Sequence, residues 1–286
     1  MILVTGATGQ LGRAVLQTLI GKTAPNQLAA LVRDADKAAD LLAQGVDIRV
    51  GNYGDCASLE QAMQGITKVL LISGGGERDA LQQHYNVVDA AQKAGVQCLA
   101  YTSRALKDPS TLANQLMERH FQTEEYIKAS GLPYVFFRNI LYMDVLPQFM
   151  GPRVLTTGIN LPAGQGKVAY ALRSEMGEAI AKVLLESSCD NRTYFLTGSQ
   201  AYSFYDVATA LSSLSGKPVG YTPVGTAEFE KALKDRGVPE PVIQRISPFM
   251  TDIKNGQEED VSSNLEQLLG RKPTALTEGL RTLFNL

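Results

Sequence analysis

Val4-Thr5-Gly6-Ala7-Thr8-Gly9-Gln10-Leu11-Gly12 decides the fold. It follows a short apolar run, Ile2 to Val4, and opens an amphipathic helical pattern at Gln10, so it reads as a turn from a first strand into a first helix. Gly6 permits the tight turn, Gly9 lets backbone N–H groups approach a phosphate with no Cβ in the way, and Gly12 allows helix and strand to pack closely. A dinucleotide pyrophosphate would meet the N-terminus of that helix. The candidate pyrophosphate-binding residues are therefore Gly6, Thr8, Gly9, Gln10, Leu11 and Gly12. A glycine turn that joins strand to helix without a ligand is the alternative.

Outward from this turn, apolar runs alternate with longer helical patterns as far as residue 139. Strands are expected near 2–5, 28–32, 46–50, 68–72, 96–101 and 133–138, with helices beginning near Gln10, Asp36, Ser58, Arg78 and Leu112. Repeated βαβ units with right-handed crossovers make an α/β fold, a Rossmann-type doubly wound parallel sheet. After Asn139 the rhythm breaks at Pro147, Pro152, Gly158, Pro162, Gly164 and Gly166. A helix (174–186) and a strand (192–197) then resume. Ser203 reads as the N-cap of a helix that stops at Gly216, and two more helices are expected near 226–236 and 241–254. The expected division is residues 1–139 plus 192–198 for the nucleotide-binding domain, with 140–191 and 199–286 forming a smaller mixed α/β half that covers the substrate.

At the end of the second strand, where an NAD enzyme places an acid on the ribose 2′-hydroxyl, this chain has Arg33. A guanidinium there can fork onto a 2′-phosphate, whereas a carboxylate would repel it, so NADPH is the expected coenzyme. Asp34 and Asp36 argue the other way, but they come after the strand end, where Asp36 is placed to cap the next helix, and a solvated strand terminus is the alternative for Arg33.

Composition excludes other classes. The 27 Lys+Arg against 29 Asp+Glu leave a net charge of −2 with no basic run, so nucleic acid is not an expected partner. No apolar run approaches the ~18 residues of a membrane-spanning helix. A secretory signal is not seen before Ile2. Cys56, Cys98 and Cys189 are odd in number and scattered, which suggests neither a disulfide framework nor a metal site, and the expected location is the reducing cytoplasm. His84 and His120 are the only histidines and lack ligand spacing, so no metal is expected.

With these residues in view, the chain resembles the NmrA-like branch of atypical short-chain dehydrogenases, in particular its quinone oxidoreductases and triphenylmethane reductases. The resemblance runs end to end. It rests on TGATGQLG (5–12), Leu31-Val32-Arg33, Leu70 to Ser73, Gln83-His84 with Asn86-Val87-Val88, Ala100 to Ser103, His120 with Thr123-Glu124, and 130–134. Arg138-Asn139 with Tyr142, Gly237 to Pro241 and Leu268-Leu269-Gly270 complete it. Asn52 departs from the family, where an Asp commonly stands near the adenine. The resemblance implies that Ser73, Gly74, Gly75, Arg138, Asn139, Ile140 and Tyr142 line the coenzyme.

Ordinary short-chain dehydrogenases use a Ser after the fifth strand and a Tyr-x-x-x-Lys helix to deliver a proton. Ser103 occupies the first position, but Leu116 and His120 stand where the Tyr and Lys would be. A ketone leaves an alkoxide whose conjugate acid resembles water (pKa ~15.7), a quinone a phenolate resembling Tyr (~10), a difference of ~8 kcal/mol in the need for a built-in acid. The expected activity is therefore NADPH-dependent hydride transfer to quinones or related flat electrophilic aromatics. The alternative is a non-catalytic NADP(H)-binding redox sensor acting through protein partners. Tyr142 is the candidate to stack on the substrate, with Met143, Phe149 and Met150 completing an apolar lid or simply packing the core. His120 is a further candidate for the substrate site. The physiological substrate and a homodimeric state are left open.

Overall fold

The computed structural model describes residues 1–74 and 79–286. Along the first part, β1 (Ile2–Val4), α1 (Gln10–Ile20), β2 (Leu28–Val32), α2 (Ala39–Ala43), β3 (Asp47–Val50), α3 (Cys56–Ala62), β4 (Lys68–Leu71), α4 (Ala80–Lys93), β5 (Cys98–Arg104), α5 (Glu118–Ala129) and β6 (Tyr134–Asn139) alternate. Then come α6 (Leu146–Met150), α7 (Val154–Thr157), β7 (Ile159–Leu161), β8 (Lys167–Val168), α8 (Arg173–Leu185), β9 (Arg192–Leu196) and β10 (Tyr202–Ser203). The chain ends with α9 (Phe204–Ser215), β11 (Tyr221–Pro223), α10 (Thr226–Asp235), α11 (Glu240–Lys254), α12 (Asn264–Leu269) and α13 (Leu276–Phe284).

The central sheet has seven strands in the order β3-β2-β1-β4-β5-β6-β9. Each pairing from β3 through to β6 is parallel. The direction of growth reverses between β1 and β4, which is the switch point where doubly wound sheets bind ligands. Burial explains the apolar composition of the strands. All five residues of β2 and all seven of β5 are buried, as expected where helices cover both faces, while β3 at the sheet edge is exposed at both ends.

The chain forms two compact units: residues 1–104, 119–139 and 173–195 in the first, 105–118, 140–172 and 196–286 in the second. This differs from the expected division in three places, the smallest being residues 196–198, which fall in the second unit. The helix expected in the second half, α8, packs along α1 and belongs to the first unit. The segment 105–118, expected with the nucleotide-binding domain, belongs to the second. There Asp252 accepts from the amides of Ala113 (2.7 Å) and Asn114 (3.1 Å), and Gln257 bonds the Asp108 amide (2.8 Å) and the Thr111 hydroxyl (2.8 Å). That anchoring explains why the helix expected from Leu112 begins only at Glu118, after short 3-10 turns over Pro109–Thr111 and Gln115–Met117.

In the second unit, Ser203 caps α9 as expected. Its hydroxyl accepts from the Asp206 amide while the Asp206 carboxylate accepts from the Ser203 amide, and Gly216 ends the helix in the left-handed conformation (φ 67°). Two other expectations are corrected. Asp36 is not a cap: the region is a 3-10 turn (Asp36–Ala38) followed by the short α2, and Asp34 Oδ1 instead accepts from the Asp36 amide (3.1 Å). Cys98 and Cys189 form a disulfide, with Cα atoms 5.7 Å apart, while Cys56 is free and exposed. The first opens β5 and the second lies just before β9, so a pair 91 residues apart meets only because two strands begin at the same edge of the sheet. Met143, expected either in an apolar lid or in the core, is wholly buried and lies against Gly279 of α13. Among the described residues no helix is long and apolar enough to cross a membrane.

Candidate active site

A cavity of about 930 Å³ opens in the first unit at the switch point, near the upper end of the ~300–1,000 Å³ of small-molecule sites. Its first wall is the glycine turn. Gly6 takes the left-handed conformation (φ 57°), and a Cβ on Gly12 would lie 2.4 Å from the Gly6 carbonyl oxygen, so the turn folds tightly onto the helix only with glycine at both positions. The Gly9 amide closes the turn on the Gly6 carbonyl (2.9 Å), and Gly9 is the N-cap of α1. No side chain caps this helix and no acid stands in its first turn, so the amides of Gln10, Leu11 and Gly12 sit at an uncapped positive helix end. Such an end suits a phosphate.

The second wall is the end of β2. Arg33 lines the cavity beside Val32, and of the two acids that argued against a phosphate Asp34 is engaged while Asp36 lies exposed. Asp34 holds the Asp36 amide and faces Lys37 at 3.6 Å. Asp40 is ion-paired with Arg13, whose hydrogen bond holds its carboxyl below the usual carboxylate range. Asn52, Tyr53, Asp55 and Ser58, which follow β3, complete this side. Asp55 caps α3, accepting from the Ala57 amide (3.1 Å).

The floor is built differently. Past β4 the chain leaves the sheet, and Ile72, Ser73 and Gly74 line the cavity. Their backbone groups are held by side chains from four separate elements. The Ile72 amide donates to Thr5 Oγ1 (3.0 Å), and the Ile72 carbonyl accepts from the Tyr53 hydroxyl (2.9 Å), which is itself hydrogen-bonded to Thr5. Burial pushes the Tyr53 hydroxyl's pKa up, so it stays a donor. The Ser73 amide donates to Thr102 Oγ1 (2.9 Å) and the Gly74 amide to His84 Nε2 (3.1 Å).

Of the residues expected to hold the coenzyme, Gly6, Thr8, Gly9, Arg33, Ser73 and Gly74 thus line one cavity. Gln10, Leu11 and Gly12 form the first turn of α1 beside it. Gly75 lies outside the described residues. Arg138 forks onto Glu124 of α5 (2.9 and 2.6 Å) and packs against the rings of Phe121 and Phe195, so its guanidinium is engaged within the first unit. Asn139 is buried at the end of β6. Ile140 and Tyr142 belong to the second unit, where Ile140 is buried and Tyr142, half-buried, bridges Ala171. Phe149 is half-buried, and Met150 lines a separate hollow of about 450 Å³ in that unit together with Arg153, Phe229 and Arg236.

His120 is placed by α5 beside β5. Its Nδ1 is 3.0 Å from the Tyr101 hydroxyl, its ring also bonds the Thr102 backbone, and burial pushes its pKa down to about 3. It is a neutral histidine already engaged within the protein. Leu116, in the tyrosine's place, is exposed in a 3-10 turn. Ser103 Oγ is buried and makes no hydrogen bond. Sequence reasoning missed the floor's supports. Thr5, Thr102 and His84 carried the resemblance but were given no role, and Tyr53 was not singled out. The threonines stand at the ends of the strands expected over 2–5 and 96–101, near the ligand end of a parallel sheet, the one signal that could have found them.

A family model of the NmrA-like family matches residues 1–284. The chain belongs to the NmrA-like family. It is 37% identical over 287 residues to quinone oxidoreductase 2 of Escherichia coli, covering 100% of this chain and 99% of the relative. The crystal structure of that enzyme complexed with NADPH superposes with a TM-score of 0.94 at 35% identity, over 100% of both chains. The triphenylmethane reductase of Citrobacter sp., complexed with NADP(H), gives 0.93 at 37% identity over 99% of this chain and 100% of that one. An NAD(P)H azoreductase from Xenophilus azovorans is 30% identical over 243 residues, 84% of this chain and 82% of its own length.

Proposed function

We propose that this NmrA-like protein is an NADPH-dependent oxidoreductase that transfers hydride to quinones and related flat, electrophilic aromatics. The observation that carries the reading is the cavity itself, which joins an uncapped helix end to Arg33. The residues fit the coenzyme: the amides of Gln10, Leu11 and Gly12 would hold the pyrophosphate, Arg33 the 2′-phosphate, and Asn52 would offer its amide to the adenine. Ser73 and Gly74 would lie under the rest of the nucleotide. The relatives named for quinone, triphenylmethane and azo substrates all act on conjugated electron acceptors and support the same substrate class.

When bound, the reduced nicotinamide supplies the hydride. The chain's own contribution is to bind and orient, because no Tyr-Lys pair is present and His120 is neutral and held by Tyr101. A quinone tolerates this, since its phenolate product needs no positioned acid near neutral pH, whereas an aliphatic alkoxide does. NADPH oxidation followed by absorbance with a panel of quinones, triphenylmethane dyes and aliphatic ketones tests the reading. Quinones and dyes should be reduced and ketones not. In His120→Ala, quinone turnover should fall by less than the ~100-fold that removal of a general acid causes. A collapse of turnover in that variant would make His120 the proton donor. No oxidation with any acceptor would leave an NADP(H)-binding regulator.

A further inference from the structure

The Gly74 amide is the last described backbone group on the cavity floor before α4, and a buried histidine holds it. His84, on the first turns of α4, is 2% exposed, and its ring meets Tyr101 edge-on with centroids 5.6 Å apart. Its Nε2 lies 3.1 Å from the Gly74 nitrogen, and since a backbone N–H can only donate, Nε2 must be the bare nitrogen. The proton is then on Nδ1, 3.0 Å from Thr123 Oγ1. Thr123 can accept it because its own hydroxyl hydrogen is directed to the Arg119 carbonyl, 2.7 Å away. The polarity of the whole chain is therefore set, from the Arg119 carbonyl through Thr123 and His84 to Gly74. Burial, with the Arg119 guanidinium adding to it, pushes the imidazole's pKa down to about 4, so the ring is neutral at pH 7 and keeps its acceptor.

We propose that His84 is a positioning residue for the coenzyme site: in the tautomer that Thr123 imposes, it holds the Gly74 amide and so keeps the cavity floor in its binding conformation. The proposal rests on the coenzyme reading above. Losing the acceptor removes the side-chain bond that fixes the Gly74 amide at the cavity floor, and the segment is no longer held in that position. Replacing Thr123 by an apolar residue has the same consequence by a different route, because the His84 proton can then move to Nε2, where it opposes the Gly74 N–H.

The test measures NADPH dissociation constants by nicotinamide fluorescence, quinone kcat at saturating NADPH, and melting temperature, in the full chain. His84→Leu is expected to weaken NADPH about fivefold, the equivalent of one ordinary hydrogen bond, with kcat within about twofold of wild type. His84→Gln, which keeps an acceptor near the Nε2 position, is expected to restore affinity to within about twofold. Thr123→Val should match His84→Leu, and the double variant should be no worse than either, because Thr123 acts only through the histidine. Unchanged NADPH affinity in a folded His84→Leu would overturn the proposal, as would a glutamine variant no better than leucine or losses that multiply to about 25-fold in the double variant. If His84→Leu does not fold, the comparison of Thr123→Val with His84→Gln decides, since a merely structural role lowers melting in both and leaves NADPH affinity alone. Failure of the wild type to bind NADPH would overturn the coenzyme reading and this role with it. Normal wild-type binding with insensitive variants would overturn this role only.

Discussion

The glycine turn and the floor of the cavity face the same space and are made in opposite ways. The turn runs through seven consecutive residues, Gly6 to Gly12, and its shape follows from backbone freedom and from what a Cβ would strike. The floor is three residues, Ile72 to Gly74, whose backbone groups are held by side chains of Thr5, Tyr53, His84 and Thr102. A ligand wall can thus be specified locally, by residues with little or no side chain, or remotely, by hydroxyls and an imidazole that the fold collects. The two should fail differently: the first abruptly and through one residue, the second by degrees and through many.

Gly9→Val gives the largest expected effect. Its Cβ would sit 3.2 Å from the Gly6 carbonyl and its branched methyls would occupy the approach to the helix end, so NADPH affinity should fall by at least ~100-fold while the melting curve stays cooperative. Retained affinity, measured by fluorescence titration, would place the nucleotide elsewhere and end the contrast. Arg33→Ala should come next. It removes a charge-assisted contact, so NADPH should weaken about tenfold and NADH hardly at all, which brings the two coenzymes close to parity. Equal affinities already in the wild type would refute the assignment of Arg33 to the 2′-phosphate. Tyr53→Phe should have the smallest effect, about threefold on NADPH affinity, because Thr5 still holds the Ile72 amide when the phenol's bond to the carbonyl is gone. A loss as large as that of Gly9→Val would mean that the floor is no more distributed than the turn.

Much of the first unit was legible along the chain. Val, Ile and Leu runs marked the buried strands, and the glycine spacing marked the turn, because both depend on residues that are neighbours in sequence. Helices α9 to α11 were equally readable, as with the Ser203 cap of α9, whereas α12 and α13 were not expected. Segment 105–118 was not. Its helix start moved from Leu112 to Glu118 because Asp252 and Gln257, more than a hundred residues downstream, hold its backbone. The Cys98–Cys189 pair escaped for the same reason.

What the sequence determined by itself was the parallel α/β sheet, the glycine turn, the cation at Arg33 and the lack of a Tyr-Lys pair. Each is a property of a residue type at a fixed offset from a strand or helix end. What only the tertiary structure decided was how side chains are employed. It showed that Asp34 is engaged by the Asp36 amide and Lys37, that Asp40 is paired with Arg13, and that Arg33 lines the cavity. It engaged Arg138 with Glu124 and His120 with Tyr101. It also turned His84 from an unassigned helical histidine into the acceptor for Gly74. The physical reason is one of range: backbone conformation answers to the adjacent residues, but a hydrogen bond needs only closeness in space, and residues far apart in the chain become close only when the sheet has formed.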